Sequence, residues 1–521
     1  MYRQLMQATH RHVARAVVVL LIAAAAGPAA ADDSDVDLVE TPPGRDSISI
    51  AELVKIAVRQ SSVLALARSD LRLAELNKTI AGAPDEWQLS ASVNVSKRAE
   101  DPIPNSRAQV ISAKDLQTQL GLGKRVFTGG DFAISLSNTE QSRTYGEAPT
   151  APATANVSVA AVAVRQPLLR GRGGGARINQ QRAVLVADVA TLAAMDAGGS
   201  TLRELVRAYW SLAYARANLE VRIQSQKLAK DQFDLTQKMF QRSAIPDSSV
   251  KAAAYGLALR EEATLRAQRD LETASVMLRR LAGLELGPDQ IELVPTDPLT
   301  TERRMWDMDE VLATALANNP RLAATRLGVE LAEVGVEVRE NGVLPTLDLA
   351  ISAGAVGVGS GPGNSISSLG SLSSYQISAG LSFGWEIGGA ARAAEKSSRI
   401  ERATARRSVR DAERDVIGSV VLAVHEIEAA QKRVDVGKRA SELAQSNLAT
   451  EQALFRADKS SNVQVFQRQT ELDEARLLQV RAALEYQIAI TSVEYLTGEI
   501  LKRYGVEVVQ SRERIRATKP E

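Results

Sequence analysis

The feature that most constrains this chain is that its pattern is written twice. Glu52, Leu53, Ala57 and Leu64 recur as Glu310, Val311, Ala315 and Leu322, an offset of 258 residues, and Leu73-Ala74-Glu75 recurs as Leu331-Ala332-Glu333. Farther on the offset becomes 215. Gly173-Gly174 matches Gly388-Gly389, Leu228-Ala229 matches Leu443-Ala444, Phe240 matches Phe455, and Leu281 and Gly283 match Leu496 and Gly498. The first copy therefore carries about 43 extra residues between Glu75 and Gly173. The expected organisation is a first repeat at 32–283, a linker at 284–307, a second repeat at 308–498 and a tail at 499–521.

Within each copy the dominant signal is helical. Leu202, Leu205, Tyr209, Leu212 and Leu219 form a stripe at three- and four-residue spacing, and Ile417, Val420, Val424, Ile427 and Val434 repeat it. Arg216 and Gln431 interrupt the two stripes at equivalent points. A seam this narrow packs helix on helix at coiled-coil angles. The pattern predicts long helices over about 176–241 and 391–456, each followed by a shorter one near 248–281 and 463–496. At ~1.5 Å per residue each long helix would reach about 100 Å. Gly198-Gly199 predicts a kink or break inside the first, because glycine costs about 1 kcal/mol in a helix interior. Helices alone would equally describe a soluble coiled-coil rod.

Short alternating segments separate the helices. From Trp87, Leu89, Ala91, Val93 and Val95 alternate with Gln88, Ser90, Ser92, Asn94 and Ser96. Leu347, Leu349 and Ile351 alternate with Thr346, Asp348, Ala350 and Ser352 in the second copy, and Ile377 through Ile387 alternates with Gln376 through Glu386. Period two with one apolar and one small polar face describes a strand between lipid and water. A soluble sandwich also alternates, but small polar partners suit a wet lumen better than a charged outer surface. The extra residues of the first copy read as a further hairpin near 114–141, turning at Gly129-Gly130, and 157–164 as one more strand. The strands run up, down, up, down in copy one and up, down in copy two. Long Gly-, Ser-, Pro- and Asn-rich connections (98–114, 141–155, 357–374) lie at one end and the tight turn at the other, the asymmetry of outer-membrane barrels. Trp87, Phe127, Phe132 and Trp385 would all fall at the periplasmic membrane edge, where an aromatic girdle is expected. Six strands cannot close around an open lumen, since even eight-stranded barrels are filled. A barrel must be shared between chains.

The N-terminus reads as a secretory signal over 1–31: Arg3, Arg11 and Arg15, an apolar run at 16–26, and Ala29-Ala30-Ala31 before Asp32. No later segment is expected to span a membrane as a helix, so any crossing must use strands. Lys and Arg total 63 against 62 Asp and Glu, which offers no basic field for nucleic acid. The sequence has no cysteine, which excludes disulfides, thiolate metal sites, thiol nucleophiles and a lipid-bearing cysteine. Of three histidines, His10 and His12 lie in the signal and His425 has no metal-ligand or triad companion at useful spacing. Gly171 to Gly175 is not followed by the Lys-Ser/Thr of a phosphate loop. No enzyme activity, metal or cofactor is expected.

The duplicated helix–strand–strand–long-helix unit, the Ala315-Leu316-Ala317-Asn318-Asn319-Pro320 segment and the Arg165–Gly171 stretch RQPLLRG together resemble the TolC family of outer-membrane factors, over nearly the whole chain. The resemblance implies an all-α dominated fold with a membrane β-barrel section: a trimeric α-barrel plus a shared outer-membrane β-barrel. It also implies a homotrimer that serves as the outer-membrane conduit of an efflux pump or type I secretion system. Its partners would be a periplasmic adaptor (membrane fusion protein), an inner-membrane transporter and outer-membrane lipid. Adaptor docking would fall at the helix-turn tips, Arg242-Ser243-Ala244 and Ala457-Asp458-Lys459, where Ser243 and Asp458 replace the family's tip glycine. The family's pore-narrowing acids correspond to Gln464 and Gln467, with Asp458 or Asp247 as alternative sources of charge. The family contributes four strands per chain. Six here would give a trimer about 18 strands, unless the extra hairpin is an extracellular elaboration. The competing reading is a periplasmic coiled-coil structural or adaptor protein.

Overall fold

The computed structural model describes residues 47–99, 110–145, 154–242, 245–284, 286, 293–299, 301–457 and 459–506. The expected signal segment lies outside them. In chain order the elements are β1 (Ser47–Ile48), α1 (Ile50–Gln60), α2 (Ser62–Gly82), β2 (Gln88–Ala99), β3 (Val110–Arg125), β4 (Asp131–Tyr145), β5 (Thr154–Pro167), α3 (Gly174–Gln241) and α4 (Asp247–Ala282). There follow β6 (Val294–Pro295), α5 (Met308–Asn318), α6 (Pro320–Val343), β7 (Thr346–Gly359), α7 (Pro362–Leu369), β8 (Tyr375–Gly384), α8 (Ala390–Arg456), α9 (Asn462–Leu496) and α10 (Ile500–Arg503). The duplication is structural: α1 and α5 begin 258 residues apart, and α4 and α9 begin 215 apart.

The chain divides into two compact units, and each repeat contributes to both. One unit (77–183 and 333–400) contains the six long strands. They form one antiparallel sheet in the order β2-β3-β4-β5-β7-β8. The additional strands β3 and β4 stand inside it, between β2 and β5, joined by a turn at 126–130 in which the Val126 amide donates to the Gly130 carbonyl at 2.8 Å. Gly129 turns the chain with φ +87°, a left-handed conformation that glycine adopts without steric cost. The sequence reading carried the last strand to Ile387, but β8 ends at Gly384, leaving Trp385 and Ile387 beyond it. It also missed α7, an eight-residue helix in the 357–374 connection, because Ser, Asn and Gly are weak helix formers. Pro362 at the helix start is the one local signal for it.

The other unit (39–76, 184–332 and 401–521) contains two equivalent helical cores. Leu53, Val54, Ala57, Leu205, Tyr209, Leu212 and Leu278 pack together in the first. Their counterparts Val311, Leu312, Ala315, Val420, Val424, Ile427 and Val493 pack in the second. Burying each large side chain stabilises the fold by about 1.5–3 kcal/mol. Leu202 is fully buried but its counterpart Ile417 is 38% exposed, so the second seam takes Val416 in its place. The expected kink or break at Gly198-Gly199 does not interrupt the helix: α3 runs on through it, and a Cβ on Gly199 would lie 3.3 Å from the Tyr495 ring. Gly199 gives room to that ring instead of breaking the helix. The linker between the repeats folds back so that β6 pairs with β1 in parallel. Against expectation, α3 includes an 18-residue stretch with mean hydropathy 1.3, apolar enough to cross a membrane by composition. An alanine- and valine-rich run inside a long helix meets that threshold.

Candidate channel wall and helix-turn tips

Register fixes which strand residues share a face, since opposed residues in a ladder point the same way. One row across the sheet is Leu89, Leu122, Ile134, Val162, Ala353 and Ile377. The adjacent row is Gln88, Gly123, Ala133, Ala163, Ser352 and Ser378 on the opposite face. The next row on that face is Ser90, Gly121, Ser135, Ala161, Gly354 and Gln376. One side is apolar and the other is small and polar, the lipid–water division that alternation predicts.

The aromatics gather at the end carrying the 126–130 turn. Trp87 and Phe132 meet edge to face with ring centroids 6.2 Å apart, and Lys124 Nζ lies 5.8 Å from the Trp87 centroid. Phe127 stands in the turn, 75% exposed, and Trp385 follows β8, 59% exposed. The polar face carries a chain of charges at this same end that the sequence reading did not single out. Arg125 donates to Asp131 at 3.2 Å, Asp131 is in register with Arg165, and Arg165 donates to Asp348 at 2.8 Å. Opposite charges flanking a tight turn were the available signal. Toward the other end, α7 lies on the apolar-row face of β5 and β7. There Asn138 donates to Ser158 at 2.9 Å and to Ser365 at 3.1 Å, and the two serine hydroxyls are 2.8 Å apart.

At the first tip, α3 ends at Gln241 and the Arg242 amide donates to the Met239 carbonyl at 3.2 Å. Ser243 and Ala244 lie outside the described residues, as does Asp458 of the second tip. Asp247 opens α4 and pairs with Lys251 at 2.8 Å, both side chains exposed. At the second tip the Ala457 amide donates to the Leu454 carbonyl at 3.1 Å, and Lys459 donates to the same carbonyl at 2.9 Å. Gln464, aligned with a pore-narrowing position, is engaged locally. Ser461 caps α9, and the Gln464 side chain accepts from the Ser461 amide at 3.4 Å and the Ser460 hydroxyl at 2.8 Å, completing a capping box. Gln467 is exposed and donates to Glu471 at 3.2 Å.

Behind the tips, polar groups are tied across α3, α4 and α9. Asn462 accepts from Gln232 at 2.5 Å and from Thr236 at 3.1 Å, and donates to the Ser249 carbonyl at 3.4 Å. The Arg260 guanidinium lies 4.1 Å from the Phe466 ring centroid and donates to Thr470 at 2.9 Å. The Phe466 ring lies against Gly256, where a Cβ would come within 2.4 Å of it. Buried Asp473 accepts from the Ser225 hydroxyl. Burial raises the Asp473 carboxyl above the usual range, opposed by the Ser225 hydrogen bond and by Arg260, Arg222 and Arg476. Sequence reading missed this layer because a buried polar residue at helical spacing looks like solvated surface. Among the described residues no group of three or more His, Cys, Asp or Glu is placed to hold a metal ion.

Comparison with known proteins bears on both features. The sequence profile of the family "Outer membrane efflux protein" matches residues 311–499. Outer membrane protein TolC of Salmonella enteritidis is 27% identical over 263 residues, covering 49% of this chain and 52% of that protein. The chain thus spans about half the length of the curated relative it matches. Among solved structures, the outer-membrane channel OprN superposes with a TM-score of 0.66 at 17% identity, covering 86% of this chain and 90% of its own. The CmeC outer membrane channel of Campylobacter jejuni gives 0.68 at 13% identity, covering 90% and 88%. At these identities the structural likeness speaks for the fold.

Proposed function

We propose that this chain belongs to the outer-membrane efflux protein family and is one protomer of a trimeric outer-membrane channel, the passive exit conduit of a tripartite efflux pump or type I secretion system. The observation that carries the proposal is the two-faced sheet: in its part nearest the 126–130 turn, apolar rows alternate with small polar rows across all six strands. Such a sheet suits a barrel wall between lipid and a wet lumen. The helical unit is the periplasmic part, and its tips at Arg242–Ala244 and Ala457–Lys459 take up the periplasmic adaptor, behind which stands an inner-membrane transporter. Transport energy comes from that transporter; the chain itself acts without catalysis.

At the tip Gln464 and Gln467 narrow the pore sterically and by hydrogen bonding in place of an acidic ring. The capping-box engagement of Gln464 makes it a stiff constriction, while Gln467 is the freer of the two. Trp87, Phe127, Phe132 and Trp385 act as the periplasmic girdle, their rings at headgroup level.

The test is fractionation. The protein is expected in the outer-membrane fraction, requiring detergent, with heat-modifiable migration. Recovery as a soluble protein without detergent would overturn the conduit and favour the periplasmic rod. Crosslinking from Arg242→Cys or Lys459→Cys should capture the adaptor, and capture of none at either tip would refute docking there.

A further inference from the structure

We propose that the extra β3–β4 hairpin is part of the barrel wall, so that three chains close an eighteen-stranded barrel with β8 of each protomer zipped onto β2 of the next. The inference rests on the trimeric-channel reading and deepens it. An extracellular elaboration would hang from one end of the sheet. Instead β3 pairs with β2 along twelve residues, from Gln88 opposite Gly123 to Ala99 opposite Ser112, and β4 pairs with β5 along another twelve, from Asp131 to Ser142. The hairpin stands inside the sheet between β2 and β5, and without it β2 would have no link to β5.

Near the turn its side chains obey the same polarity as the other strands, while farther out Thr118, Asn138 and Glu140 fall on the apolar-row face. Leu116, Leu120, Leu122, Ile134 and Leu136 lie on the apolar face, while Gln117, Gln119, Ser135 and Ser137 lie on the polar one. Its turn, with Phe127, sits at the end of the sheet where Trp87 meets Phe132, the end expected at the periplasmic membrane edge.

The occupant of the free edges follows from the same geometry. Among the described residues, β2 and β8 have no strand on their outer sides. All of β2 is exposed, as is β8 up to Phe383. On the apolar face their exposed side chains include Leu89 at 76%, Val95 at 65%, Ile377 at 69% and Leu381 at 65%. Unpaired backbone groups beside apolar side chains are not tolerated in lipid, and a further strand satisfies them. Because six is even, β2 and β8 run in opposite directions. A second copy of this chain can therefore continue the antiparallel alternation through every junction without a fault.

With strands ~4.8 Å apart and tilted ~40°, eighteen strands close at a radius of about 18 Å, against about 12 Å for twelve. The outer exit of this conduit is thus wide enough to pass solutes of roughly twice the cross-section that a twelve-stranded wall allows.

The absence of native cysteine makes the test clean. Phe127→Cys, and Thr128→Cys as a second variant, are probed in whole cells with a polyethylene-glycol maleimide too bulky to enter the lumen, with Ser373→Cys as the external reference. Ser373→Cys is expected to react in intact cells, and both turn variants only after the outer membrane is permeabilised. If Ser373→Cys and either turn variant react together in intact cells, the hairpin is external and the eighteen-stranded wall is overturned. If Ser373→Cys itself fails to react until permeabilisation, the outer-membrane reading fails first. In parallel, Ser90→Cys or Ser92→Cys is combined with Ser378→Cys, Gly380→Cys or Ser382→Cys. At least one pair is expected to form intersubunit disulfides giving a ladder that stops at the trimer. A ladder stopping at the dimer, or none across the panel, would overturn the closure.

Discussion

The left-handed turn at Gly283 presses against Gln60: a Cβ on Gly283 would lie 2.7 Å from the Gln60 carbonyl oxygen. The second repeat reproduces the contact, with a Cβ on Gly498 falling 2.7 Å from the Asn318 carbonyl oxygen. The two glycines have φ of +75° and +73°, and each follows the helix that packs beside α1 or α5. Gly283→Ala and Gly498→Ala should each destabilise the protein by about 2 kcal/mol or more, combining left-handed backbone strain with displacement of a carbonyl. The thermal midpoint of the detergent-solubilised protein measures this, and a neutral result at either site would refute the contact.

The capping box at the start of α9 gives a local prediction. Ser461→Ala removes an oxygen that accepts from the Gln464 amide and should cost about 1 kcal/mol. Amide exchange should accelerate in the first turn of α9 while the deep amides around Leu472 and Tyr486 stay protected. If the first turn exchanges as in the parent protein, the cap is not formed in solution.

Gly256 and Phe466 give a third. Gly256→Ala forces a methyl into the Phe466 ring, which Arg260 holds from its own side at 4.1 Å. Overpacking of this kind costs about 1–3 kcal/mol. Phe466→Leu in the same chain should recover part of the loss, a positive coupling in a double-mutant cycle. Strict additivity of the two substitutions would show that the ring moves aside freely.

What was legible in the sequence was whatever is periodic. Leu205 and Val420, one offset apart, locate equivalent seams because both sit at helical spacing, and the alternation from Ile377 to Phe383 locates a strand because its period is two. The alternating strand directions followed from counting ups and downs, whereas the place of the extra hairpin between β2 and β5 did not. What was hidden is whatever depends on partners distant in sequence. Gly199 signals a break by propensity, yet its meaning is the Tyr495 ring. Asp473 and Ser225 meet across 248 residues, and no local pattern announces that. Gln464 aligned with a pore position, but three residues earlier Ser461 claims its side chain for a cap.

Tyr209 links the linker to the first repeat, and its ionisation gives a prediction in pH. Its fully buried hydroxyl donates to Asp297 at 2.7 Å and accepts from the Thr296 and Asp297 amides at 3.1 and 3.0 Å. Asp297 in turn accepts from the Ile50 amide at 2.8 Å, so the hydroxyl also holds the start of α1. Burial, and then the Asp297 carboxylate, push the phenol up from 10.0 to about 12. A raised pKa means the folded state favours the protonated phenol. Its contribution to stability is therefore complete below pH 10 and is lost as pH rises through about 12. Tyr209→Phe should cost about 1–3 kcal/mol at neutral pH, because two amides and a carboxylate lose their partner. The difference between parent and variant should then shrink between pH 10 and 12 by an amount on the order of 2 kcal/mol. Tyr495, also raised to about 12 by burial and Asp196, titrates in both proteins and cancels in the comparison. A parent–variant difference that stays constant across that window would mean that Tyr209 does not ionise from the buried, Asp297-bonded state.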